Sequence, residues 1–146
     1  MSKSVNVARL IQLSLLLVTF VSFVNSQSSL ADLKGEHDAA KRSKKALTFA
    51  GVALDNADEF YAKGEIEKGD AQLEDMTNAL NECVGSLTAA RKPSLYKETE
   101  LKVAYVQRRM QGLVDGIAVQ NRGWAEYTER KLDEIHDRLL AGVMKK

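Results

Sequence analysis

The chain has 146 residues, one cysteine and one proline, with 21 Lys and Arg against 20 Asp and Glu. That length holds one domain rather than two. The lone Cys83 excludes an intrachain disulfide framework, and the near-zero charge excludes a general electrostatic pull on nucleic acid or an anionic membrane.

Residues 1–26 read as a signal peptide. Lys3 and Arg9 form a basic start, Leu10 to Val24 is an apolar run, and Val24-Asn25-Ser26 offers the residues a signal peptidase reads. The run is shorter than the roughly 20 apolar residues of a spanning helix, so cleavage after Ser26 is expected rather than retention as an anchor. This reading makes the protein exported, periplasmic or extracellular, with no membrane span after signal cleavage. The mature part is a single domain, 27–146. Lys3 and Arg9 leave with the signal, so 19 basic residues face 20 acidic ones and the net charge becomes −1. With no disulfide available, about 120 residues must be held by their core alone.

The mature sequence is dominated by good helix formers, and no alternating stretch is long enough for a strand. Leu33, Ala40, Leu47, Leu54 and Tyr61 recur every seven residues, with Ala50 and Ala57 between them. This coiled-coil-like pattern predicts one helix from about Ser29 to Lys63, the longest in the chain, whose start projects or is loose. Gly64 is placed to cap it. Ile66, Leu73, Leu80 and Leu87, with Met76, Cys83 and Ala90, predict a second helix from about Glu65 to Arg91. Gly69 weakens its first turns, and Asp70 could cap a later start.

Pro93 separates this helix from a third, for which Ser94 is the expected N-cap. Its stripe is Tyr96, Thr99, Val103, Val106, Met110, Leu113 and Ile117. A turn at Gln120 to Gly123 leads into a fourth helix from about Trp124 to Val143, with Ala125, Thr128, Leu132, Ile135 and Leu139 on one face. The expected fold is an all-α antiparallel bundle of about four helices. Short connections favour up-down-up-down order, and a pair of stacked helical hairpins is the rival.

Ala57, Phe60, the run Gly64-Glu65-Ile66-Glu67-Lys68-Gly69, and Leu73 give residues 47–80 the look of a single tetratricopeptide-like helical hairpin. The resemblance implies that Phe60 packs on Gly69. It lacks the family's helix-ending proline, Asn81 standing near that place, and it lacks a tandem copy. From Arg91 onward, and most of all in Glu134-Ile135-His136-Asp137-Arg138-Leu139-Leu140, the chain resembles uncharacterised small exported bacterial helical proteins, which implies no activity.

The candidate chemistry is sparse. Asp133 and His136 share a helix face at i and i+3, but a di-iron bundle needs a second such pair, and the other histidine, His37, has Lys34 three residues before it. Cys83 falls on a core stripe and reads as a small buried hydrophobe. Lys41-Arg42-Ser43-Lys44-Lys45 reads as a solvated helix face, with Arg91-Lys92 and Arg108-Arg109 as weaker versions. An acidic partner or lipid headgroups would be its functional use. Trp124, Tyr127, Tyr96, Tyr105 and Phe49 could line a ligand pocket, but aromatics at helical spacing are more often core; Tyr105 and Tyr127 lie off the stripes and are the better surface contacts. Met76, Met110 and His136 are haem-ligand residue types with nothing that unites them.

No catalytic, cofactor-binding or metal residue is assigned. The reading is a non-enzymatic protein-interaction or structural module with a protein partner or a homo-oligomeric state. The alternative is a ligand or metal carrier in the bundle core. An enzyme built on Asp133, Glu134 and His136 ranks third.

Overall fold

The computed structural model describes residues 25–144, with side chains from residue 30 onward. It is all-helical over that span. Helix α1 runs Asn25–Gly35, α2 Ala39–Ala62, α3 Ile66–Ala90, α4 Pro93–Gly116 and α5 Gly123–Met144. A 3₁₀ turn, Val119–Asn121, joins α4 to α5. The expected cleavage point at Ser26 falls inside α1, and the remainder of the 1–26 segment lies outside the described residues.

The single long first helix is not formed. The chain leaves the helix after Gly35 and restarts at Ala39, so the first helix is not the longest: α2, α3 and α4 have 24, 25 and 24 residues. The break has a local cause. The Asp38 carboxylate accepts the backbone N–H of Lys41 at 3.0 Å and caps α2, while Asp38 itself is extended. The seven-residue stripe passes through this break without registering it. Nor does α1 project free of the rest, because Leu33 is buried in a small cluster with Ala46 and Cys83.

The other boundaries lie within a residue or two of expectation, with two changes of role. Gly64 is left-handed (φ 75°) behind α2, as the cap argument requires. Pro93 occupies the first turn of α4, where its missing N–H costs nothing, so Ser94 is inside the helix rather than its cap. Gly69 is a regular member of α3, which starts at Ile66, and Asp70 caps nothing.

Side-chain pairs reveal how the helices are arranged. Ser43 meets Cys83 at 3.2 Å and Asn56 meets Gln72 at 3.1 Å, so α2 and α3 form an antiparallel hairpin. Gln107 meets Asp133 at 2.8 Å and Glu100 meets His136 at 2.9 Å, so α4 and α5 form another. Between hairpins the direction is shared. Lys44 acts on Glu98 and Asp55 pairs with Arg109, which lays α2 alongside α4 in parallel. Helix α3 then runs parallel to α5, joined by Arg138 and Asn81. Although consecutive, α3 and α4 barely touch. The architecture is therefore two stacked hairpins rather than a bundle in which each helix packs on the next.

The stack is internally repetitive. Ala50, Ala53, Ala57 and Tyr61 are buried in α2, and Val103, Val106, Met110 and Val114 are buried in α4 with the same spacing of three, four and four. Gly69, Leu73, Met76 and Leu80 in α3 match Thr128, Leu132, Ile135 and Leu139 in α5, spaced four, three and four. The second hairpin thus repeats the spacing of buried residues in the first, with Val103, Val106 and Met110 in α4 where α2 has Ala50, Ala53 and Ala57. All four long helices contribute to one continuous apolar core. Each fully enclosed Leu, Met or Ile in it contributes about 1.5–3 kcal/mol of transfer free energy.

Candidate functional site

A surface cleft of about 740 Å³ lies between the parallel helices α3 and α5. Glu74, Asn78 and Asn81 line it from α3, and Trp124, Tyr127, Lys131, Glu134 and Arg138 from α5. On α5 the stripe 124, 127, 131, 134, 138 recurs at helical spacing, one step around the helix from the core stripe 125, 128, 132, 135, 139. The helix therefore shows one row to the core and the next to the cleft, whose lining also takes in Thr128 and Ile135 of the core row.

Two aromatic rings stand at one end of the cleft. Trp124 and Tyr127 keep 41% and 43% of their surface exposed, and their centroids are 5.3 Å apart at a 40° tilt. Lys131 holds its ammonium 5.6 Å from the Tyr127 ring centre and 2.9 Å from the Glu134 carboxylate. At the other end the Arg138 guanidinium donates to the Asn81 side-chain oxygen. The cleft thus offers aromatic faces, amides and charges of both signs along one axis. Trp124 was expected in the core; its position one step off the core row puts it outside. Tyr105 and Tyr127 are exposed as expected.

The remaining candidates are dispersed. His136 is bound through Nε2 to Glu100 on α4, not to Asp133, which accepts from Gln107 instead. The i, i+3 spacing puts Asp133 and His136 on neighbouring parts of α5, but each finds its partner across the hairpin. His37 is exposed in the break between α1 and α2. Among the described residues, no three His, Cys, Asp or Glu side chains converge as a metal site. Met76 and Met110 are fully enclosed in the apolar core. Tyr96 is half-buried and its ring lies against Gly142.

Cys83 is buried, its Sγ 3.2 Å from the Ser43 hydroxyl. Burial raises its thiol pKa, which keeps the neutral form and opposes nucleophilic chemistry.

The basic run is not a uniform solvated face. Arg42 turns inward, donating to the Ser86 hydroxyl at 2.8 Å and the Glu36 carbonyl at 2.8 Å, and pairing with Glu82 at 3.1 Å. Lys45 binds Glu36 at 2.6 Å, and Ser43 is buried. Half of the cluster therefore secures the break before α2. Lys41 and Lys44 remain exposed.

In the first hairpin the large-on-small contact involves Tyr61, not Phe60. The Tyr61 ring lies so close to Gly69 that a Cβ there would meet it at 2.9 Å. Phe60 is half-exposed, with Lys68 5.5 Å from its centre.

Among the described residues, no helix is long and apolar enough to cross a membrane. Compared with protein-family models, curated proteins and solved structures, the chain matches none.

Proposed function

We propose that this protein is an exported, non-enzymatic interaction module that holds a protein partner in the α3–α5 cleft. The observation that carries the reading is the contacting, exposed pair Trp124 and Tyr127 at one end of that cleft. Large aromatics left in water beside a concave polar surface are the residues that dominate binding energy when a partner covers them. The two-hairpin stack supports the same use, since packed helical hairpins present rigid grooves. Export rests on Lys3, Arg9 and the apolar run Leu10 to Val24.

The test is site-specific photocrosslinking in the native compartment, with the probe at Tyr127 and a control probe at Leu101. One protein captured from 127 and not from 101 would support the assignment. Equal capture from both positions, or none from either, would remove it. A stoichiometric metal or chromophore in the purified protein would redirect attention to the carrier reading.

A further inference from the structure

The stack of hairpins has an outer side. Helix α2 packs on α3 along one flank and on α4 along another, while α1 lies against it with Leu33 on Ala46 and, with Asp32, borders the groove beside Val52. Part of the surface left over is a helical row, Lys45, Phe49, Val52, Asn56 and Glu59, spaced four, three, four and three, in which Lys45, Val52 and Glu59 are exposed and Phe49 and Asn56 are half-buried. Val52, at its centre, keeps 51% of its surface exposed. Beside it runs an apolar groove of about 650 Å³, lined by Leu33, Phe49, Val52 and Ala53 and closed toward α3 by Gln72.

Within two turns of Val52 the charges on the exposed side of α2 change sign. Lys44 and Lys45 lie N-terminal to Val52; Asp55, Asp58 and Glu59 lie C-terminal to it. Lys45 and Glu59 are each seven residues from Val52. A two-fold rotation about Val52 therefore sets the Lys45 of one copy on the Glu59 of the other, twice, and lays Phe49 beside Asn56. Both charged side chains sit at the surface with an intrachain partner, Glu36 for Lys45 and Lys63 for Glu59, and can share it.

We propose that the outer face of α2 docks a second copy of this chain, as a closed two-fold dimer with α2 antiparallel to its counterpart. A surface that matches itself under a two-fold axis is what an isologous contact requires. A foreign partner would need no such symmetry about one residue. The apolar centre supplies desolvation and the flanking charges set the direction. The proposal does not depend on the α3–α5 cleft, which lies on other helices, so either can fail alone.

Sedimentation equilibrium of the purified protein tests it. The expected result is a concentration-dependent dimer whose dissociation constant rises at least tenfold in Val52→Asp. Lys45→Glu and Glu59→Lys should each weaken the dimer, and the two together should restore it, because the pairing is then reversed at both ends. Val52→Cys, close in size to the native residue, should form a disulfide-linked dimer under mild oxidation, while Tyr105→Cys on α4 should not. A wild-type protein that stays monomeric at every concentration overturns the proposal. So does a dimer indifferent to Val52→Asp, or a Val52→Cys variant that links only to a different protein.

Discussion

The hydroxyl of Tyr61, in the last turn of α2, donates to the carboxylate of Asp70 in the second turn of α3, while its ring covers Gly69. One side chain thus binds both helices of the first hairpin next to their turn. Burial, reinforced by the Asp70 charge, raises the Tyr61 hydroxyl's pKa and keeps it a donor.

Gly69→Ala should therefore destabilise the protein, although alanine is the better helix former by about 1 kcal/mol. The added Cβ must displace a ring that is only 9% exposed and tethered to Asp70. Overpacking of this kind costs about 1–3 kcal/mol, so the net loss is about 1 kcal/mol in chemical denaturation. Gly142→Ala makes a contact of the same kind with Tyr96, yet should cost less. Tyr96 is half-buried, and Gly142 sits two residues from the end of α5, where both can give.

Arg42→Ala should release the break before α2. It removes the donors to Ser86 and the Glu36 carbonyl and leaves Glu82 without its cation. A loss of about 1–2 kcal/mol is expected for part-buried hydrogen bonds of this kind. Arg42→Lys should rescue little, since a single ammonium cannot reproduce the forked geometry. Cys83, next to Ser43 on the same stretch, reports the opening: alkylation of its thiol should be slow in the native protein and faster in Arg42→Ala.

Asp75 carries an acid-linked prediction. Burial, then the neighbouring Glu74 charge, raises its carboxyl above the ordinary value of 3.8. The folded state thus holds this proton more tightly than the unfolded chain. Its contribution is complete below 3.8 and is lost as pH rises through the folded value. Asp75→Asn should raise Tm at pH 7 and leave it unchanged at pH 3. Because the group is only partly buried, screening keeps the gain to a few tenths of a kcal/mol, about a degree.

Trp124 is the one tryptophan in the chain and sits at the end of the cleft, so its fluorescence reads occupancy directly. Tyr127→Ala should leave thermal stability within about 0.5 kcal/mol of wild type, as surface substitutions do. Partner affinity should fall by about 2 kcal/mol or more, the cost of losing an interface anchor. Equal affinity in the variant would count against the cleft.

The helical periods were legible because burial on a helix repeats every three to four residues. Val103, Val106, Met110 and Leu113 in α4, and Leu132, Ile135 and Leu139 in α5, are buried as their spacing required. The break at 36–38 was not legible. Leu33 and Ala40 keep the seven-residue interval across it, and the Asp38 cap is a single local hydrogen bond that periodicity does not sense.

The helix content, its apolar faces and the buried state of Cys83 follow from residue types and their intervals, which are local properties. Which helices become neighbours does not. Parallel contact of α2 with α4 depends on how two faces separated by some fifty residues fit together, and on groups such as Asp55 and Arg109 that no interval connects. The same long-range packing drew Arg42 inward and paired His136 with Glu100. Each candidate surface came from that step, because a cleft between helices exists only once the helices have chosen their partners.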